Sequence, residues 1–503
     1  MFVRKKKNKS GLVSIQIIDK SSGKYKMIKT IGSSKNLIEI ENFVQKGREW
    51  IKEKQGVLEI DFNNKRQTAE QFLDSIEQIN ISGTELLLGK LYDEIGFNKI
   101  QDEYFKILVI SRLIFLVSKL KTVDYLQKHR GISIDVQVIY RYLDKLHKSQ
   151  KEKVQKISYE HTLTVLNNEI SVVFYDVTTI YFQADNEDEI RKRGFSKDGK
   201  HQKPQIVLGL LTSAGGYPLA YEIFEGNKFE GHTMLPVIDT FKEKYELEKL
   251  VITADSGLMS KQNILELQEK KYEFILGARI KNETQKIKDE ILSLKLNHGE
   301  SQIIKKDNKL KLIISYSDKR AKKDKHNRER GLEKLEKRVK SGKLTKSNIN
   351  NRGYNKYLKL TGEINVSIDN EKFKADSKWD GLKGYLTNTN LSKNKVIENY
   401  SHLWKIEKAF RVSKHDLKIR PIYHRLQRRI EAHIIINFVS YKIYKELERQ
   451  LYLKRSDLSP EKAIEIAKTI YSVKIRIPNS KDSITKTLIL NEEQKNLTDL
   501  FDF

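Results

Sequence analysis

Two acidic residues of this chain follow apolar runs that read as buried strands. Asp176 closes residues 170–175 (ISVVFY) and precedes Val177-Thr178-Thr179, while Asp255 closely follows LVIT and precedes Ser256-Gly257. A carboxylate at the end of a buried strand is poorly hydrated, so its charge needs a metal, a cation or several donors. Taken singly, each is better read as a cap or turn former, Asp255 above all because Ser-Gly follows it. A third carboxylate changes that balance. On a helix expected over residues 393–414, a turn of 100° per residue places Tyr400, Trp404, Glu407, Arg411 and Lys414 within a stripe of roughly 80°. A core-facing stripe does not normally carry Glu, Arg and Lys, and a solvated one does not normally carry Trp. The bland reading is a Glu407–Arg411 ion pair one turn apart, which is common and weak. The other is a face for a phosphodiester, with Glu on a metal and the cations on phosphates. Trp404 either packs, which is the reading preferred here, or stacks on a base.

Two strand-end Asp residues and one helical Glu offer only oxygen ligands, which suits a hard cation such as Mg²⁺ or Mn²⁺. Zinc alternatives are weak, since there is no HExxH and no Cys/His spacing; His402, His415 and His433 read as surface or DNA-facing residues.

These residues need elements to hold them. Beyond 170–175, strands are expected at 205–211, 217–224, 250–253 and 273–276, with helices near 234–245 and 261–270. Strands in meander order that then alternate with helices give an α/β fold, a mixed sheet with helices on its faces. Residues 281–380 read as an insertion that mixes strand-like pieces with a charged helical stretch at 319–346. A strand at 384–387 resumes the pattern, followed by the helix at 393–414 and another at 427–451. Upstream, residues 11–32 alternate apolar and polar around Ser21-Ser22-Gly23-Lys24, a β-hairpin signature, and a helix runs from Ile38 to about Gly56. Residues 68–165 lack proline and show helical spacing. Within them, 122–128 and 136–146 flank Arg130-Gly131-Ile132. That pair fits either a helix-turn-helix with Tyr140, Arg141 and Tyr142 near the outer face, or two ordinary packed helices.

Composition narrows the partners. The 503 residues hold 95 Lys+Arg against 67 Asp+Glu, a net charge of +28 that attracts polyanions, so nucleic acid is the first partner to consider. Cysteine is absent, which removes disulfides, thiolate zinc sites and cysteine nucleophiles together. The start, MFVRKKKNKS, is not followed by the apolar core of a signal peptide, and the most apolar run, 107–117, is too short to span a bilayer. The chain reads as a cytoplasmic protein without a membrane partner.

In order along the chain, FYDVTT, TADSGL and YSHLWKIEKAFRVSK resemble the DDE transposases of the insertion-sequence IS4 superfamily, and most of all its IS1634-type branch. RGFSKDGKHQKPQIVLGLLTSAGGYPLAYEIFEGNKFEGHTM and WDGLKGYLTNT support the likeness, which covers about residues 165–450. The resemblance implies an RNase H-like core interrupted by a largely β insertion between the second Asp and the Glu. It implies Asp176, Asp255 and Glu407 as catalytic carboxylates holding two Mg²⁺ or Mn²⁺ ions. Tyr400, Glu407 and Lys414 match the superfamily's helical signature, but its Arg position holds Leu403; Arg411 is a substitute on geometric grounds, and Tyr400, Trp404, Arg411 and Lys414 form the expected DNA contact.

The expected domains are residues 1–60 (hairpin and helix), 61–165 (helical, DNA-end-binding), 166–280 and 381–455 (the two parts of the core), 281–380 (insertion) and 456–503 (tail). The implied function is binding of terminal inverted repeats, then metal-dependent cleavage and strand transfer on double-stranded DNA. A functional dimer would form in the synaptic complex, on the nucleoid of a bacterial cell. The alternatives are a nuclease without strand transfer and a non-catalytic DNA-binding protein.

Overall fold

The computed structural model describes the chain except for residues 56–64, 308, 343, 351–352, 362–364, 478–479 and 481. The boundary expected between residues 60 and 61, and the end of the helix expected near Gly56, fall outside the described residues. The chain divides into two compact units, Met1–Gln78 with Lys474–Thr485, and Ile79–Val473 with Lys486–Phe503.

In the first unit, β1 (Phe2–Lys7), β2 (Val13–Asp19) and β3 (Lys26–Ser34) form an antiparallel sheet. The expected hairpin is β2–β3, and the basic start of the chain supplies a third strand. Ile15 of β2 packs with Ile40 and Val44 of α1 (Leu37–Lys54). Asn36 caps that helix by accepting from the Ile38 N–H at 2.9 Å. The chain continues through α2 (Lys65–Asp74) and β4 (Ile76–Ile81).

The second unit begins with α3 (Gly83–Ile95), α4 (Glu103–Ile114), α5 (Lys119–Arg130), α6 (Val136–Ser149) and α7 (Lys151–Val165). Its sheet starts with β5 (Val172–Tyr181), β6 (Gln205–Ser213) and β7 (Pro218–Glu225), then α8 (Met234–Lys244), β8 (Val251–Ala254), α9 (Lys261–Glu269) and β9 (Glu273–Ala278). The β5 run is buried on both faces, as a continuous apolar strand requires: Phe174 and Ile180 enter one core, Val173, Tyr175 and Val177 the other. β5, β6 and β7 form an antiparallel meander, while β8 and β9 run parallel to β5.

The segment expected as a largely β insertion holds α10 (Gln285–Ser293), β10 (Ser301–Lys305), β11 (Lys311–Tyr316), α11 (Asp318–Lys340), β12 (Leu358–Thr361), β13 (Asn365–Ile368) and α12 (Asn370–Ser377). More of it is helix than strand, because the charged stretch from Asp318 favours a long solvated helix. Nor do all its strands form a sheet of their own. β14 (Leu382–Thr387) returns beside β9 and pairs with β11, so β10 and β11 extend the core sheet to eight strands in the order β10-β11-β14-β9-β8-β5-β6-β7.

The helix expected over residues 393–414 is broken. α13 (Lys393–Ser401) and α14 (Trp404–Arg411) are joined by a tighter turn at His402 and Leu403, and a π-helical turn follows at Val412–Asp416. Next come α15 (Gln427–Leu453), α16 (Pro460–Ala467), β15 (Tyr471–Arg476), β16 (Ser483–Leu488) and α17 (Glu492–Phe501). α15 is buried along most of its length, from Ile430 to Leu451, which marks it as a central core helix. Leu91, Leu108 and Leu143 of the upstream helices share one core with Ile435, Val439 and Leu447 of α15 and with Phe174 of the sheet. The helical segment therefore packs as part of the second unit, together with its sheet.

The same packing orients the two helices of the candidate helix-turn-helix. Gly131 ends α5 in the left-handed region at φ 64°, as a turn requires. α6, however, lies against α15. Tyr140 sits under the Arg429 guanidinium at 4.9 Å, and the Tyr142 hydroxyl donates to Asp102 at 2.8 Å. Of the three residues expected near the outer face, Arg141 alone is exposed. A mixed β-sheet core flanked by helices is the fold of this unit.

Candidate active site

The site grows out of strand register. Tyr175 of β5 pairs with Ala254, the last residue of β8, so Asp176 and Asp255 are the next residues along two adjacent parallel strands. Asp255 stands at the carboxyl end of β8, where ligand sites of open α/β sheets lie, whereas β5 runs on to Tyr181, so Asp176 sits within its strand and not at the end expected for it. Asp176 shares strand parity with Phe174, whose side of the sheet is covered by α13 and α14 through Tyr400, Leu403, Ile406 and Phe410. Glu407 stands in the first turn of α14, over that same face.

Asp176, Asp255 and Glu407 line one cleft of about 210 Å³ together with Tyr400, Trp404 and Lys383. The sequence places these acids far apart; the sheet and α14 bring them together. Burial, above all, pushes the Asp176 carboxyl up to about 6, and the charges of Asp255 and Glu230 add to the rise. The Lys197 ammonium opposes it, 3.7 Å from Asp176 Oδ1 and 3.2 Å from Glu230 Oε1, while donating to the Val177 carbonyl at 2.7 Å. Asp255 also forms the turn suggested by Ser-Gly: the Gly257 N–H donates to its Oδ1.

Tyr400 is buried against β9, where the absence of a side chain at Gly277 leaves room for its hydroxyl. Lys383 of β14 lies 4.3 Å from the centre of the Tyr400 ring and 5.4 Å from that of Tyr385. Burial lowers the Lys383 pKa, while the negative charges of Glu407 and Asp255 work in the opposite direction.

The rest of the expected stripe separates. Trp404 is 54% exposed at the cleft, which overturns the packing reading. Arg411 is exposed but does not line the cleft, and Leu403, at the missing Arg position, is buried. Lys414 is turned away into an ion pair: its ammonium lies 3.3 Å from Asp198 Oδ2, and Arg420 approaches the same oxygen at 2.8 Å. His433, expected at the surface, is buried and hydrogen-bonded to the Ile419 carbonyl at 3.0 Å, because α15 is a core helix.

Lys197, Glu230 and Lys383 were not expected as site residues. Each stands in a segment that supports the family likeness, SKDGK, EGNKFEGH and WDGLKGY, yet nothing in its local sequence marks it for this cleft.

A larger cleft of about 530 Å³ lies next to the first, between α11 and the end of β9 with the start of β14, and shares Lys383 with it. Much of its charge is internally paired: Lys281 and Lys356 both reach Asp376 at 2.5 Å, Arg328 pairs with Asp380, and Arg320 lies 3.4 Å from Asp324.

Among the described residues no three His, Cys, Asp or Glu side chains form a ready-made metal cage. The donor set nevertheless fits a hard divalent ion. It is all carboxylate oxygen, and Asp176, whose ionised form burial above all disfavours, gains from a cation beside it. Among the described residues no helix is long and apolar enough to cross a membrane.

No curated protein matches the chain. Among solved structures, the piggyBac transposase synaptic complex with hairpin DNA aligns with a TM-score of 0.39 at 10% identity, covering 76% of this chain and 76% of that one. The Mos1 transposase paired-end complex with the left transposon end aligns with a TM-score of 0.16 at 11% identity, covering 35% of this chain and 58% of that one. Neither likeness is close enough to carry the fold or the chemistry. The family profile described as Transposase DDE domain matches residues 167–443, more than half of the chain, a span that includes Asp176, Asp255 and Glu407. The chain belongs to the transposase DDE-domain family.

Proposed function

We propose that this protein is a DNA transposase of the IS4 superfamily, IS1634-type branch, which cuts the ends of its element and joins them to target DNA. The observation that carries this reading is the convergence of Asp176, Asp255 and Glu407, from three distant segments, on one cleft of a chain with net charge +28. The strand order β7-β6-β5-β8-β9, antiparallel and then parallel, supports an RNase H-like core.

In this reading Asp176, Asp255 and Glu407 hold divalent Mg²⁺ or Mn²⁺. When bound, such ions supply Lewis-acid stabilisation of the charge that develops on the phosphodiester oxygens. Lys197 holds Asp176 and Glu230 at a fixed spacing, and Lys383 balances Asp255 and Glu407 from the opposite wall. Trp404, exposed at the cleft, and Arg411 contact the DNA strand. Tyr400 orients Lys383, and Lys414 acts by fixing Asp198 and Arg420. Terminal-repeat recognition is assigned to residues 1–165, and a dimer brings two ends together.

The test is incubation of the full chain with DNA carrying the native element ends, Mg²⁺ and a target plasmid. The expected result is cleavage at the ends followed by a joined product. Cleavage without joining favours a nuclease, and end binding without cleavage favours a non-catalytic DNA-binding protein.

A further inference from the structure

The loop Asp255-Ser256-Gly257 touches three clefts. Asp255 lines the carboxylate cleft, Ser256 the large cleft beside α11, and Gly257 a third cleft of about 380 Å³. Two features set the third cleft apart. Phe195 and Phe229 both line it, and they are 75% and 60% exposed. Each ring is braced by a neighbouring imidazole, Phe195 by His201 at 5.8 Å between centroids and Phe229 edge-on by His232 at 5.4 Å. Scattered exposed aromatics are ordinary, but two on one cleft beside a site for polyanion chemistry are not.

The charge in this cleft favours an anionic strand. Lys228 and Arg279 line it, and Glu230, its one acid among the described residues, is engaged by Lys197 at 3.2 Å. The cleft lies beside the candidate active site: the Lys197 ammonium is 3.2 Å from Glu230 of this cleft and 3.7 Å from Asp176 of the other, and Gly257 follows Asp255 by two residues. Apolar rings beside cations suit a nucleotide better than an apolar peptide, since every base offers a π-face and every linkage a negative charge.

We propose that the Phe195–Phe229 cleft holds an unpaired nucleobase of the DNA strand whose phosphodiester lies at Asp176 and Asp255. This rests on the transposase reading above and adds to it a preference for unpaired DNA beside the cutting site.

The experiment compares binding of the full chain, in EDTA, to labelled short oligo(dT) and to a duplex of equal length, by fluorescence anisotropy at one ionic strength. Phe195→Ala/Phe229→Ala should weaken oligo(dT) binding by about tenfold or more and duplex binding by less than about twofold, the size expected for loss of base stacking. Phe195→Leu/Phe229→Leu should behave like the alanine pair, while Phe195→Trp/Phe229→Trp should restore oligo(dT) binding. Equal weakening on both DNAs, or no effect on oligo(dT), overturns the proposal. So does loss of a concentration-dependent dimer in the alanine pair, which would assign the rings to a second copy of the chain. Failure of the wild-type chain to bind either DNA would instead overturn the transposase reading itself.

Discussion

A carboxylate held within a buried strand costs stability whenever it is ionised without a cation. Asp176 measures that cost. Its folded value of about 6 lies above the ordinary 3.8, so the native state holds the proton more tightly. The stability this gives is full below pH 3.8 and is lost as the pH rises through about 6. Asp176→Asn removes the titration. In EDTA its advantage over wild type should be absent at acid pH, grow across that interval and level off near neutrality. One pKa unit is worth about 1.4 kcal/mol, and partial solvent access trims the total, so a gain of roughly 2 kcal/mol in a denaturation series is expected. The opposite sign is expected for activity. Glu407→Gln, Asp176→Asn and Asp255→Asn should each abolish end cleavage and joining while leaving end binding intact or slightly tighter, since repulsion of phosphate falls. If Glu407 served only in a surface ion pair, Glu407→Gln would cost about 0.3–0.5 kcal/mol and the folded variant would still cut.

At the scale of elements, the helices from Gly83 to Val165 lean on α15, more than 250 residues later in the chain. A fragment ending at residue 165 should therefore expose the faces of Leu91, Leu108 and Leu143 and fail to unfold cooperatively, measured by thermal melts followed by circular dichroism and by gel filtration. The sequence shows that α6 buries one face; it does not show which partner covers it, because amphipathic spacing carries no address. Strands β5 and β8 were legible for a definite reason: burial on both faces demands an unbroken apolar run, and the acid ending each run is conspicuous. The break at His402–Leu403 was not legible. No proline or glycine marks it, and the hydrogen bonds simply shorten, with Leu403 donating to the Tyr400 carbonyl at 3.1 Å and Lys405 to that of His402 at 2.9 Å. Leu403 and Ile406, on either side of the restart, are both buried in the core. Lys197, Glu230 and Lys383 were hidden for a related reason. Among 95 basic and 67 acidic residues, only tertiary proximity distinguishes the few that meet at the cleft.

The whole molecule carries +28, and its response to salt follows from that. If six phosphates are neutralised, affinity for non-specific DNA should fall by about 10³ or more between 50 and 200 mM salt; a flat titration would remove the electrostatic argument. The order of the eight strands also governs how the molecule is made. β14 lies between β9 and β11, yet it follows both in the chain. Until β14 leaves the ribosome, β9 has no partner on that side, and the β10–β11 hairpin has no sheet to join. Synthesis at about 5–20 residues per second keeps that apolar edge open for on the order of 10 s. An unpaired strand edge is a template for wrong pairing, so the nascent chain is most open to aggregation in the interval between its second and third carboxylates.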